Sequence, residues 1–589
     1  MSRLSIAASA ALVGLHFLFV AAYVEPSLSG PDASGYFAQA KMLATEGRTY
    51  QEIDAPLQFL GAHWLDAGDG RYFSKYPPGL PLMLSLPYRL LDPRAAFWVD
   101  PLLASLALIA LFLIARRWMA DGWGGVAVAL MAVNPLANEN ALGGFAHTAV
   151  AAFLLWGIYF LIRWRRSGAL GWAAAAGLCV GFIPAIRYAE VLFAAAFGLF
   201  AVLVLTGSPG PRTDEPSPVR RHSLFAMLGG LALPVLALAV RNQLAFGAFW
   251  RTGYAISGEQ KGFGWSYLWE HWLPYLEELV ASGMGPLFGL GVIGLAVLCA
   301  RRETREHGIL LTALIVPTTA LYMAYYFQPS PRFLLPTFYL YTLAGVWLLR
   351  LLSDALGRPA RAATVLAVIL TALWGVPLSV QAMSRVERQR AALARVTDII
   401  DQHVPGGGVV LTDNAVGQHL DFLGRWRVGH LEALTMSRRL AARFADDSFA
   451  ATGADRTRFR AIDRFAKYAA GSREERLEAV RADLEVWVGS SGEVYLLGRQ
   501  SELSEWRQQL DSRDEISELA TVQLEVSDVA GVGLPGRDRL RRMPPRLRAG
   551  TAGARDPAGR FPRLQGGVGG PGLFTAGSEP LTLLEWNWP

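Results

Sequence analysis

Residues 4–23, LSIAASAALVGLHFLFVAAY, run without a charge and meet Glu25-Pro26 and then residues 31–47, PDASGYFAQAKMLATEG. A helix needs about 20 apolar residues to cross the hydrocarbon core of a bilayer, so the first run is long enough to span. A secretory signal has a shorter apolar core closed by a small-residue cleavage site. Here Met1-Ser2-Arg3 leads into a run that ends at Tyr23 beside Glu25-Pro26, which reads as a retained anchor. The polar stretch behind it, opening with Asp32 and closing with Lys75-Tyr76-Pro77-Pro78-Gly79, reads as a reaction site at a membrane face.

Moving outward, further apolar runs follow at 97–116, 122–137, 145–163, 170–186, 189–205, 224–241, 284–300, 308–327, 333–350 and 361–381, which with the first (4–24) gives about eleven predicted spans. The 52% hydrophobic and 18% charged residues therefore describe a chain living mostly in lipid, not an unusually greasy soluble one. The net charge of +6 is not a nucleic-acid signal, because the basic residues fall in short clusters between the runs: Arg116-Arg117, Arg163 to Arg166, Arg212 to Arg221, Arg301 to Arg305 and Arg350 to Arg361. With a cytoplasmic N-terminus every cluster lies inside, as the positive-inside rule requires. The loops at 25–96, 138–144, 242–283 and 328–332, and all that follows 382, are then expected outside a plasma (inner) membrane. Cys179 and Cys299 lie within apolar runs and suggest neither a disulfide nor a zinc framework.

The expected fold class is a polytopic α-helical membrane protein (residues 1–382, first outer loop 25–96) with a small C-terminal α/β extracytoplasmic domain at 383–500. In that domain Val386 to His403 has helical periodicity, Gly408 to Thr412 reads as a buried strand, Ala415 to Leu423 as a helix and Ser472 to Glu485 as an amphipathic helix. Glu485 to Gly489 and Glu493 to Gly498 read as a hairpin around Ser490-Ser491-Gly492. Gly406-Gly407-Gly408 precedes its strand instead of opening a helix, so it is a turn and not a phosphate loop. Residues 501–589 are expected to be a tail rich in Gly, Pro and Arg from about Ala530 to Ser578, with a returning strand at Leu581 to Trp588.

The candidate chemistry gathers in the outer loops. Asp32, at the water boundary, is the expected catalytic base for a hydroxyl acceptor; the competing reading makes it an ordinary N-cap of the helix Ala33 to Thr45. Tyr36 and Tyr76 offer flat surfaces with a hydroxyl, Lys75 a point charge, and Pro77-Pro78 a fixed chain direction. Arg187, Arg241 and Arg332 stand on the outer side, against the charge rule, and suit a phosphate; the competing reading is a snorkelling anchor. Glu139 and His147 complete the substrate-binding candidates, with a structural role the simpler reading for His147. His63, Asp66 and Asp69 make only a weak metal signal because glycines interrupt them; no metal ligand is assigned, and a divalent metal is left open.

The segments PDASGYFAQAKMLATEG, KYPPGLPLML (75–84), PAIRYAE (184–190), RNQLAFGAFWRTGY (241–254) and PSPRFLLPTFYLYTLAG (329–345) together resemble the GT-C membrane glycosyltransferases, in particular the protein mannosyltransferase and aminoarabinose transferase branch. The resemblance covers roughly residues 1–382. It implies a polyprenyl-phosphate-linked sugar donor, transfer to a lipid, glycan or protein hydroxyl on the outer face, and inversion at the sugar carbon. By position it implies Asp32 as the acidic residue of the first loop, Lys75 with Pro77-Pro78 as approximately the Lys-Pro-Pro turn, and Arg187 as a cation for the donor phosphate, beside which Arg332 is a further phosphate-binding candidate from its outer location. The family's frequent acidic pair is here Asp32-Ala33, and its aspartate stands where this chain has His147. A transporter or lipid flippase is the main alternative, but it should show internal repeats and broken midplane helices. A scaffold whose outer domain binds glycans is a third reading.

Overall fold

A computed structural model describes residues 3–28, 31–61, 63–67, 69–119, 121–206, 222–257, 262–326, 329–431, 472–488, 493–507, 515–523 and 580–587. The first run is helix α1 (Arg3–Ala21). The loop behind it holds α2 (Pro31–Thr45), the short strands β1 (Tyr50–Glu52), β2 (Trp64–Asp66) and β3 (Arg71–Ser74), and α3 (Gly79–Leu90). The strands form an antiparallel sheet in the order β1-β3-β2, which delivers Ser74 and Lys75 back to the start of α2.

The helical body follows as α4 (Val99–Trp118), α5 (Asp121–Ala132), α6 (Pro135–Leu142), α7 (Ala146–Ser167), α8 (Leu170–Ile186), α9 (Leu192–Leu205), α10 (Ser223–Phe246), α11 (Gly253–Ile256), α12 (Trp265–Glu278), α13 (Pro286–Ala300), α14 (Arg305–Met323), α15 (Leu335–Leu356) and α16 (Arg358–His403). All eleven predicted runs are helical, but the expected count of spans is corrected. By length and composition, seven helices among the described residues are long and apolar enough to cross a membrane, or eight if the bent pair α12–α13 counts as one span. The shorter ones are cut by local chemistry. Asn134 accepts a hydrogen bond from the Ala137 N–H with Pro135 at the next position, which ends α5 and starts α6 in the middle of the predicted run 122–137. Arg187, in extended backbone, ends α8. Small residues bring α8 and α10 into backbone contact, with Gly177 and Gly181 against the Met227 and Leu231 carbonyls and Gly230 against that of Ala174.

The described basic clusters meet at one end of the bundle: Arg166 donates to the Arg117 carbonyl at 2.8 Å, Arg350 to the Trp118 carbonyl at 3.0 Å, and Arg165 reaches Glu306 at 3.4 Å. The cluster at 212–221 lies outside the described residues.

Helix α16 runs unbroken from the last span through Val386 to His403, so the predicted span and the predicted outer helix are one rod. It leads to β4 (Val409–Thr412), α17 (Asn414–Leu423), β5 (Arg427–His430), α18 (Arg473–Val488), β6 (Glu493–Arg499), α19 (Gln500–Arg507), β7 (Glu515–Val522) and β8 (Leu581–Asn587). The sheet order is β5-β4-β6-β8-β7, parallel across β5-β4-β6 and antiparallel beyond. The expected hairpin is therefore corrected. Glu485 to Val488 complete α18, and β6 takes as neighbours β4, reached by a parallel crossover, and the final strand β8. Two elements in the stretch read as tail, α19 and β7, belong to this sheet assembly, and Trp506 packs edge-on against Trp586 at 4.8 Å. The low-complexity stretch at 530–578 lies outside the described residues.

The loop between α1 and α4 docks on this sheet. Phe59 N–H donates to the Val428 carbonyl at 2.6 Å, His430 N–H to the Leu57 carbonyl at 3.0 Å, and Leu60 N–H to His430 Nε2 at 3.0 Å. Lys41 of α2 pairs with Asp421 of α17 at 2.9 Å.

Candidate active site

Asp32 lies in the first turn of α2 behind Pro31, so it is inside the helix and not its N-cap. Its carboxylate, 32% exposed, points to side chains instead of backbone: Tyr76 Oη donates to Oδ1 at 2.8 Å and Arg332 Nη2 to Oδ2 at 3.1 Å. Gly35 permits this. A Cβ at that position would collide with the Tyr76 ring, which lies across α2 and stacks on Tyr36 with centroids 4.6 Å apart. Lys75 sits over the rings of Tyr76 and Tyr254, 5.2 and 5.9 Å from their centroids. Gly253, at the start of α11, packs directly on the Lys75 backbone.

Burial works to raise the Asp32 carboxyl, but Arg332, His63, Lys75 and the Tyr76 hydrogen bond together outweigh it and hold the group down at about 2. His63 Nε2 stands 3.7 Å from Oδ1, yet burial first and Lys75 second lower its imidazole to about 3. It is therefore neutral near pH 7, and the contact is not an ion pair. Burial raises the Tyr36 hydroxyl well above its ordinary value.

Arg187 is neither a snorkelling anchor nor an idle cation. Its Nε donates to Glu190 at 2.7 Å, Nη2 to the Tyr322 hydroxyl at 2.8 Å, and Nη1 meets His147 Nε2 at 3.3 Å, which must then accept. Tyr322 in turn donates to the same Glu190 oxygen at 2.7 Å. Arg332 stacks over Phe145 and Phe333, 4.6 and 5.4 Å from the ring centroids. Arg241 is placed apart from this group: Nη2 donates to the Ser74 carbonyl at 2.8 Å and the guanidinium covers Phe246, so it braces the strand that carries Lys75. Glu139 is buried in α6 with Oε1 lacking a hydrogen-bond partner among the described residues. Burial pushes its carboxyl up to about 7 against the pull of Arg385 and Arg332.

Two members of the site carried little signal. Glu190 follows Arg187 by three residues, a spacing at which opposite charges meet, and could have been found from that alone. Tyr322 lies within an apolar run, where nothing marks one tyrosine from another. Among the described residues no group of three His, Cys, Asp or Glu side chains is arranged to hold a metal ion. Asp69 pairs with Arg71 while His63 faces Asp32, which separates the weak metal candidates.

Residues 1–259 match the family model for the N-terminal part of the oligosaccharyl transferase STT3. The first 259 of the 589 residues are thus similar to that family. Two solved structures of ArnT from Cupriavidus metallidurans share the fold. The one bound to undecaprenyl phosphate has a TM-score of 0.54 at 12% identity, covering 88% of this chain and 97% of that one. The apo state has a TM-score of 0.51 at 12% identity, covering 86% and 94%. At that identity the likeness is one of fold. No curated protein matches the sequence. The chain is thus a multi-pass membrane protein in which Tyr76 of the 75–78 turn and Arg332, just before α15, meet Asp32 of α2.

Proposed function

We propose that this protein is a membrane glycosyltransferase that moves a sugar from a polyprenyl-phosphate donor to a hydroxyl of a lipid, glycan or protein acceptor at the outer membrane face, with inversion. The observation that carries the reading is the Asp32 carboxylate held by Tyr76 and Arg332 in a setting supplied with cations. A donor with a lipid phosphate is supported by the undecaprenyl phosphate bound to the ArnT of similar fold.

The acceptor oxygen attacks the anomeric carbon, the bond from that carbon to the phosphate oxygen breaks, and the polyprenyl phosphate leaves with the electron pair. Arg332 and Lys75 meet its charge, while Arg187, compensated by Glu190, contributes through the field it adds and through the position it gives Tyr322. The acceptor proton passes to Asp32. A carboxylate at about 2 is a weak base, so transfer comes late, when the attacking oxygen has gained positive character. A donor phosphate drawing Arg332 towards itself would also strengthen the base. A single carboxylate already engaged by cations is a poor metal-ligand set, and no step is derived through a metal.

The test is transfer from a polyprenyl-phosphate sugar pool by purified Asp32→Asn, which keeps the shape and loses the basicity. A loss of about a hundredfold to ten-thousandfold with an intact thermal transition is expected. Near-normal turnover would remove Asp32 as the base and turn attention to Glu139 and His147.

A further inference from the structure

Helix α12 presents an apolar stripe that the protein leaves uncovered: Trp265 is 81% exposed, Trp269 71%, Trp272 46%, Leu273 49% and, one turn past the helix, Val280 49%. Their spacing puts them on one face at 3.6 residues per turn. Ser266, Glu270 and Glu277 form an exposed polar strip beside it, and Tyr275 and Leu279 are buried on the remaining side. The helix therefore has three faces, suited to lipid, water and protein.

Two observations say what covers the apolar one. First, the chain bends by 114° between the α12 segment and α13, and α13 packs closely on the span α15 through Gly291 and Gly294, so α12 turns steeply away from the helix that packs on this span. Second, α12 packs on the span α14, which leaves Val316 exposed, and leads into α13, which leaves Val292 and Ile293 exposed, so the stripe stands among apolar side chains exposed on the helices next to it. Tryptophan is the residue type favoured at the headgroup level, and apolar face beside acidic strip is the pattern of a helix lying in the interface.

The base of α12 is also tied to the site. Gly264 N–H donates to the Ala324 carbonyl at 2.9 Å, Tyr326 N–H to the Gly262 carbonyl at 2.7 Å, and Phe263 packs on Tyr325 at 4.9 Å. Ala324, Tyr325 and Tyr326 follow closely on Tyr322. We propose that α12 is an interfacial helix whose tryptophan face is embedded among the lipids of the bilayer, and that through Gly262–Gly264 it holds Ala324–Tyr326, and with them Tyr322, in place. The partner is the headgroup–acyl boundary of the membrane itself.

The experiment uses the full chain in phosphatidylcholine nanodiscs, with Cys179 and Cys299 replaced by Ala and a nitroxide on Trp269→Cys or Glu270→Cys. The expected result is a label at 269 several-fold more accessible to dissolved oxygen than to a water-soluble nickel chelate, with the order reversed at 270. Equal access of the chelate to both would put α12 in water and overturn the proposal. Protection of 269 from both reagents would give the face to a second copy or another protein and overturn it equally. For the tether, the Trp265→Ser, Trp269→Ser, Trp272→Ser variant should exchange the Gly264 and Tyr326 amides at least tenfold faster than wild type in the same nanodiscs. Unchanged exchange would refute the hold on the segment. Neither readout depends on the sugar-transfer reading.

Discussion

Asp32 Oδ2 and Arg332 Nη2, 300 positions apart in sequence, lie 3.1 Å apart in the fold. The pair joins the loop after α1 to the start of the candidate span α15, and it is the strongest of the interactions that hold the proposed base ionised against burial. Arg332→Gln should raise the Asp32 carboxyl from about 2 towards its ordinary value, since burial would then face weaker opposition. The acid limb of the rate against pH is expected to move to higher pH, and an unmoved limb would separate Asp32 from that titration.

Replacing Gly35 with Ala forces its Cβ against the Tyr76 ring. The expected cost is about 1–3 kcal/mol for overpacking, read by thermal unfolding, together with loss of the Tyr76 contact to Asp32. Tyr76→Phe removes that hydrogen bond without the clash. Transfer should fall in both variants, and a fall in Gly35→Ala alone would trace the effect to packing.

Glu190→Gln leaves Arg187 buried without its counter-charge, a change of about 3–5 kcal/mol. Its side chain is 1% exposed and that of Arg187 13%, so water cannot substitute. The double variant Arg187→Met with Glu190→Gln should be less destabilised than the sum of the singles, measured as a double-mutant cycle of unfolding free energies. Strict additivity would show that the two side chains are not coupled.

His63 is held neutral, its imidazole lowered from 6.5 to about 3 by burial and by Lys75. The unfolded chain therefore binds a proton that the fold refuses. Stability from this group is complete above about 6.5 and is lost progressively as pH falls towards 3. The melting temperature of His63→Gln should decline less than that of wild type over that interval. Parallel declines would mean that His63 protonates freely in the folded state.

Sidedness follows from the charge clusters. Cysteine introduced at Ser472 should react with a membrane-impermeant maleimide in intact cells, and cysteine at Ser167, beside the Arg163 to Arg166 cluster, only after permeabilisation. Labelling of position 167 from outside would reverse the orientation.

Sequence alone settled what depends on local pattern. The helical state of each apolar run, the convergence of the described basic clusters at one end, the outer helix Val386 to His403 and the returning strand at 581–587 were legible because period and charge act over short range. The tertiary structure decided what depends on which distant groups meet. It ended α5 at Asn134 and joined two predicted helices into α16, since a turn residue or its absence outweighs mean hydropathy. It replaced the expected hairpin by a sheet in which β6 lies between β4 and β8, because pairing is chosen by buried faces and not by nearness along the chain. Above all it set the charge states: Asp32, Arg187 and Arg332 look alike in sequence as outer-loop ions, and only packing made one a carboxylate held by a cation, one an arginine neutralised by Glu190, and one the link between loop and span.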